Sequence, residues 1–202
     1  MYPALFLDRD GVIIENRPDY VRSWSDVLIF PQALSALARL RLTPYRIVLV
    51  TNQSAIGRGL VSVGTAEEIN RCLVHEIESA GGRIDGIFTC PHVPAENCDC
   101  RKPRPGLIYQ ASQALELDLT RSILIGDALS DLEAARAAGI PRYALVLTGR
   151  GSQQAALPQA ADLAPFPIYA DLSTALTELI LPVIHFGPGN PSPTASPDHS
   201  SR

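Results

Sequence analysis

"FLDRDGVI", residues 6–13, runs from an apolar stretch straight into two carboxylates, Asp8 and Asp10, and then a glycine, Gly11. A short unbroken apolar run is how a strand buried on both faces reads, because hydrophobic layers cover both its sides. Polar residues at the end of the run mark the carboxyl edge of a sheet. The pattern recurs along the chain: "YRIVLVTNQ" reaches Thr51, "GIFTC" reaches Cys90, "SILIGD" reaches Asp127 and "YALVLTG" reaches Gly149.

Helical periodicity separates these runs. "PQALSALARLRL" opens at Pro31, a good first helical residue, and carries Ala33, Leu34, Leu37 and Leu40 on one stripe. "TAEEINRCLVHEIESAGG" repeats Ile69, Leu73 and Ile77 on one face and stops at Gly81 and Gly82, with Thr65 and Glu68 read as a capping box. "PGLIYQASQALEL", "SDLEAARAAG" and "DLSTALTELI" supply three more. Alternating strands and helices imply an α/β fold, a three-layer open parallel sheet with helices on both faces. In such sheets ligands bind beyond the carboxyl ends of the strands, so Asp8, Thr51 and Asp127 are expected to meet along one edge.

Composition sets the limits. The chain has 202 residues, 46% of them hydrophobic and 19% charged, with a formal net charge of −4. This fits one domain with a full core and disfavours a generic nucleic-acid binder, which needs Lys and Arg to neutralise phosphates. The opening residues lack a basic leader pattern and no apolar run reaches membrane-spanning length, so a cytoplasmic protein without membrane attachment is expected. Residues 1–185 are read as the domain and 186–202, rich in Pro, Ser and Gly, as a disordered tail. Two segments, Glu15 to Phe30 and Cys90 to Cys100, fall outside the alternation and are too short for separate domains. Loops, not a large cap domain, are therefore expected to shape the entrance.

Asp8 and Asp10, two residues apart in extended chain, face the same side. Adjacent carboxylates repel unless a cation or a shared proton intervenes, which lets one act as an anionic nucleophile while the other carries a proton. Gly11 is read as leaving room for a phosphoryl group. Asp127, with Asp131 at the start of the following helix, completes a set of hard oxygen ligands suited to magnesium.

"CPHVPAENCDCRKP", residues 90–103, holds three of the four cysteines. Cys90, His92, Cys98 and Cys100 form C-x-H-x5-C-x-C, a filled tetrahedral donor set that leaves no open position, as a structural zinc requires. Fixing that loop also fixes the entry of Arg101 and Lys102 into the acidic edge, where small displacements of a catalytic group are costly. Arg101 suits two-pronged contact with a second phosphate or other anion, Arg58 reads either as a further anion contact or as a solvated loop residue, and Arg104 is read as surface charge. Cys72 is read as a core residue and His75 as a surface one, while His185 and His199 have no evident partner.

These stretches resemble the four motifs of the haloacid dehalogenase superfamily of phosphotransferases: "DRDG" at 8–11, "TNQS" at 51–54, Lys102, and "GDALSD" at 126–131. Within it, "TNQSAIGRGL", "CPHVPAENCDCRKPRPG" and "VLTGRG" are similar to the small D,D-heptose 1,7-bisphosphate phosphatases and the histidinol-phosphate phosphatase domains. The resemblance covers about residues 4 to 180. It implies a Rossmann-like core and a small phosphorylated sugar or related metabolite as substrate, with the chain acting as a monomer. Asp8 would be the nucleophile, Asp10 the general acid and base, and Thr51 and Lys102 phosphate contacts. Asn52, Ser54, Arg58 and Arg101 would bind substrate. Mg2+ would be held by Asp8, the Arg9 carbonyl and Asp127, with Asp10 and Asp131 behind. Where the heptose enzymes usually carry a lysine after the Asp127 equivalent, this chain has Ala128. A zinc-stabilised interaction module without turnover is the alternative from a different class.

Overall fold

In the computed structural model, which describes residues 1–180, the five apolar runs are strands of one parallel sheet. β1 is Tyr2–Leu7, β2 Arg46–Asn52, β3 Gly86–Cys90, β4 Leu117–Gly126 and β5 Arg142–Val146. A sixth, β6, is only Ile168–Tyr169, too short to show a pattern in sequence. The order across the sheet is β3-β2-β1-β4-β5-β6, every pair parallel. The chain thus leaves β1 in one direction to lay down β2 and β3, then returns to β1's other side for β4. This reversal opens a crevice at the carboxyl ends of β1 and β4.

Side chains alternate between two apolar layers. Leu5, Leu7, Ile47, Leu49, Ile123 and Ile125 point to one face, packed with Leu37, Leu73 and Leu176 from three helices. These are α1 (Pro31–Arg39), α3 (Val63–Ser79) and α8 (Leu172–Leu179). Ala4, Phe6, Val48, Val50 and Leu124 point to the other, covered by α4 (Gly106–Leu115) and α5 (Leu129–Ala137). Short helices α2 (Ser54–Gly57), α6 (Gly151–Ala155) and α7 (Ala160–Leu163) complete the chain order. Both faces of the central strands are dry, which explains why they read as continuous apolar runs.

Three local expectations are corrected. The cap of α3 is Ser62, whose Oγ accepts from Thr65 N at 3.0 Å, so Thr65 and Glu68 lie inside the helix. β4 starts at Leu117, before Ser122, and its register against β1 shifts between Pro3 and Leu5. Ser122 Oγ repairs that irregularity by accepting from Ala4 N at 2.9 Å. Cys72 is half-buried at the helix flank, not a core residue.

Among the described residues no helix is long and apolar enough to cross a membrane. The tail expected at 186–202, with His185 and His199, lies outside the described residues.

Candidate active site

Asp8 follows the last residue of β1 and Asp127 the last residue of β4, so the strand reversal sets them side by side. Thr51 comes from the end of β2, and Lys102 from the loop after β3. Asp8, Asp10, Thr51, Asn52, Ser54, Arg58, Arg101, Lys102 and Asp131 all line one cleft of about 640 Å³. Arg17, Pro18, Tyr20 and Val21 from the segment after β1, and Pro94 from the cysteine loop, also line it. Loops therefore shape this entrance.

Lys102 is the central cation. Its Nζ lies 2.9 Å from Asp8 Oδ1 and 2.6 Å from Asp131 Oδ1, and it donates to Val50 O at 2.6 Å. Burial alone would lower its pKa, but Asp131 and Asp8 outweigh that and hold it above the ordinary lysine range. The ammonium stays charged. Asn52, expected on the substrate, spends its amide on Lys102: Oδ1 accepts from Lys102 N and Nδ2 donates to Lys102 O, both at 3.1 Å.

Asp10 is held by donors from two directions. Arg9 contacts it with Nε at 3.1 Å and Nη2 at 3.2 Å, and Gln53 Nε2 donates at 2.7 Å. Thr51 Oγ1 stands 3.4 Å from the same carboxylate and accepts from Gln53 at 2.7 Å.

Asp127 is fully buried. Its Oδ2 accepts from Asn16 Nδ2 at 2.7 Å and Arg150 N at 2.8 Å, and Arg150 Nη2 lies 3.3 Å from Oδ1. Gly11, at φ +85°, and Gly149, at φ +59°, admit this carboxylate: a β-carbon at either would overlap Asp127 Oδ2. The space at Gly11 thus belongs to Asp127 and Asn16, a correction to its reading as room for the phosphoryl group.

Sequence reasoning gave no role to Asn16, Arg17, Gln53 or Arg150. Arg150 lay within "VLTGRG", where the motif itself was the available signal. Gln53 likewise lay within "TNQS", whereas Asn16 and Arg17 sit in a loop whose reach is set only by the folded chain.

The acids fit a divalent cation. Oxygens of Asp8, Asp127 and Asp131 lie within 4.8 Å of one another. Asp8 Oδ1 is buried and has no hydrogen-bond partner, its approach to Lys102 being an ion pair outside hydrogen-bond geometry. Burial pushes Asp8 up to about 7; Lys102 opposes this, and Asp131, Asp127 and Asp10 reinforce it. Asp127 is raised for the same first reason, with Asp131 adding to it and Arg150 opposing. Three buried carboxylates facing the Lys102 ammonium and the more exposed Arg150 guanidinium still leave negative charge that another cation would neutralise. Both oxygens of Asp131 are engaged, with Lys102 and with Ala128 N at 3.1 Å, as both of Asp127 are with Asn16 and Arg150. Ala128 is buried at the start of α5.

The cysteine loop closes on itself as a second possible metal site. Cys100 Sγ lies 3.2 Å from Cys90 Sγ, 3.4 Å from Cys98 Sγ and 3.2 Å from His92 Nδ1. Zinc–sulfur bonds of about 2.3 Å in a tetrahedron imply edges of roughly 3.7 Å, slightly wider than these. All four cysteines are free thiols. Arg104, expected as surface charge, donates to Cys98 O at 2.9 Å and also contacts the carbonyl and side chain of Asn97. Arg101 donates to His92 O at 3.1 Å, so both arginines brace the loop.

Known proteins resemble the chain in sequence and in fold. The family model described as HAD-hydrolase-like matches residues 99–175. The D-glycero-beta-D-manno-heptose-1,7-bisphosphate 7-phosphatase of Neisseria meningitidis serogroup A is 40% identical over 149 residues, 74% of this chain and 79% of that protein. The protein of the same name from Pseudomonas aeruginosa is 35% identical over 174 residues, 86% of this chain and 97% of the other. The crystal structure of D,D-heptose 1,7-bisphosphate phosphatase from Bordetella bronchiseptica, complexed with magnesium and phosphate, superposes with a TM-score of 0.80 at 34% identity, covering 89% of this chain and 99% of that one. At this identity and coverage the chain belongs to the haloacid-dehalogenase-like phosphoric monoester hydrolases, in the family of the D,D-heptose 1,7-bisphosphate 7-phosphatases.

Proposed function

We propose that the protein removes the C7 phosphate of D-glycero-D-manno-heptose 1,7-bisphosphate, preferring the beta anomer, through an aspartyl-phosphate intermediate. The observation that carries this is Lys102 Nζ bridging Asp8 and Asp131 at the floor of a cleft that Arg17, Arg58, Arg101 and Arg150 also line. One cation serves the reacting carboxylate; Arg150 is held on Asp127 and Arg17 on the Asp26 carbonyl, which leaves Arg58 and Arg101 for the phosphate that stays. The relatives' names supply the sugar and its anomer.

Asp8 is the nucleophile: its carboxylate oxygen bonds to phosphorus as the bond from phosphorus to the sugar oxygen breaks. Asp10 gives its proton to that departing oxygen. Water then attacks phosphorus, Asp10 takes the water's proton, and breakage of the acyl-phosphate bond frees inorganic phosphate and the Asp8 carboxylate. Splitting the displacement in this way replaces one difficult step with two easier ones. Thr51 donates its hydroxyl to the transferred group, Lys102 offsets its charge, and Ser54 lines the same end. Asn52 acts through Lys102, while Arg58 and Arg101 hold the distal phosphate.

Mg2+ would be held by Asp8 and Asp127, and when bound it would neutralise charge on the transferred oxygens; the Arg9 carbonyl, read from the sequence as a further ligand, instead accepts from Ile13 N at 3.0 Å and Ile14 N at 3.1 Å. Zinc at Cys90, His92, Cys98 and Cys100 would be structural. We further read residues 1–185 as one catalytic domain without a large cap, followed by a tail, working as a cytoplasmic monomer.

A panel of phosphate esters with magnesium tests the assignment, including both heptose 1,7-bisphosphate anomers and histidinol phosphate. The expected order by kcat/KM is beta anomer, alpha anomer, then histidinol phosphate. A preference for histidinol phosphate would overturn it.

A further inference from the structure

Helix α3 buries one polar side chain in its apolar stripe. Asn70 is buried beside Ala66, Ile69 and Leu73, on the face that packs against the sheet. A polar group there is costly unless it finds a partner. Its partner is a buried cation: Asn70 Oδ1 accepts from Arg9 Nη1 at 2.8 Å, and Arg9 is 1% exposed. The other edge of the same guanidinium, Nε and Nη2, forms the two-pronged contact with Asp10 at 3.1 and 3.2 Å.

A guanidinium is planar, and a two-pronged contact aligns its plane with that of the carboxylate. Arg9 alone could rotate about its long stem and carry Asp10 with it. Asn70 takes hold of the far nitrogen and removes that freedom. The anchor is a helix of 17 residues capped at Ser62 and packed on the core, so the orientation of a loop carboxylate is referred to a rigid element. Rigid support of this kind matters most for proton transfer, which depends steeply on geometry.

We propose that Asn70 is a positioning residue for Asp10, acting through Arg9. It touches no substrate. The proposal rests on Asp10 being the proton donor to the leaving oxygen, and the experiment separates the two ideas.

Asn70→Leu, Asn70→Asp, Asp10→Asn and the Asn70→Leu/Asp10→Asn double variant are compared by kcat/KM on two esters. One is the preferred sugar phosphate, whose alkoxide must be protonated as it leaves; the other is p-nitrophenyl phosphate, whose leaving group needs no proton. Asn70→Leu is expected to lower kcat/KM for the sugar phosphate about tenfold, part of the roughly 10²–10⁴-fold worth of a general acid. The aryl ester should change less than threefold. Asn70→Asp, which keeps an acceptor for Arg9, should recover the sugar-phosphate activity. In the Asp10→Asn background the further change to Leu should cost nothing, because the two act in series.

Equal losses on both esters, or the same loss with and without Asp10, would overturn the proposal in favour of a purely structural role. If Asp10→Asn itself shows no dependence on leaving group, the acid–base reading falls and takes the proposal with it. Should Asn70→Leu not fold, Asn70→Ser, whose hydroxyl is too short to replace the amide, gives the same comparison.

Discussion

Asn52 and Lys102 are joined by a reciprocal pair of hydrogen bonds, each 3.1 Å, between the Asn52 side-chain amide and the backbone N–H and C=O of Lys102. Asn52 ends β2, whereas Lys102 lies two residues beyond Cys100. The loop that would carry zinc is thus fastened to the sheet at the residue whose ammonium reaches Asp8. The cysteine cluster fixes the loop's shape, and this pair fixes its position relative to the nucleophile.

Asn52→Ala should lower kcat ten- to a hundredfold while leaving KM within about threefold, because small displacements of a reacting group are costly. Two neutral hydrogen bonds at about 0.5–1.5 kcal/mol each set the accompanying loss of stability at about 1–3 kcal/mol. Urea denaturation and steady-state kinetics measure the two effects. Full kcat in a destabilised protein would show that Lys102 finds its place without the clamp.

What could be read from the sequence divides along physical lines. Asp8 and Asp127 were legible because both follow buried strands, and a parallel sheet must bring strand ends to one edge. Lys102 was legible through its distance from Cys100. Arg150 and Asn16 were not, since they meet Asp127 across 23 and 111 residues of chain, by loop paths that no periodicity encodes. Gly11 was recognised as a place where a side chain could not fit, but which neighbour claims the space is a tertiary fact. Ser62 took the cap from Thr65 because its hydroxyl, three residues earlier, accepts from the Thr65 N–H.

Gly11→Ala tests that packing. Positive φ disfavours alanine by about 1–2 kcal/mol, and the added carbon overlaps Asp127 Oδ2. Asp127 must turn away, so magnesium binding should suffer beyond the loss of stability. The half-saturating magnesium concentration is expected to rise at least tenfold, with the melting temperature lower by several degrees. An unchanged magnesium dependence would mean that Asp127 is not a ligand.

One zinc per chain should be found by elemental analysis of the purified protein. Cys98→Ser is expected to lose most of it and, with it, most of the activity, while far-UV circular dichroism stays near wild type because the sheet has its own core on both faces. Arg104→Ala should weaken zinc retention more mildly by releasing the Cys98 carbonyl. Activity that survives complete removal of zinc would detach the loop from catalysis.

Magnesium binding should depend on pH through Asp8. Burial has pushed its pKa from 3.8 up to about 7, against the pull of Lys102. Between those values the metal-free folded protein keeps a proton that the unfolded chain has released, so its stability falls as pH rises from about 4 to about 7 and then levels off. Magnesium must displace that proton. Its half-saturating concentration should therefore rise about tenfold for each pH unit below 7 and be flat above it. By the same linkage, saturating magnesium should raise the melting temperature more at pH 8 than at pH 5.5. Thermal shifts and calorimetric titration across that range give both quantities on the unmodified protein. A magnesium affinity that does not change between pH 5.5 and 7 would show that Asp8 is already ionised without the metal, and that Lys102 compensates for burial more fully than the three neighbouring carboxylates oppose it.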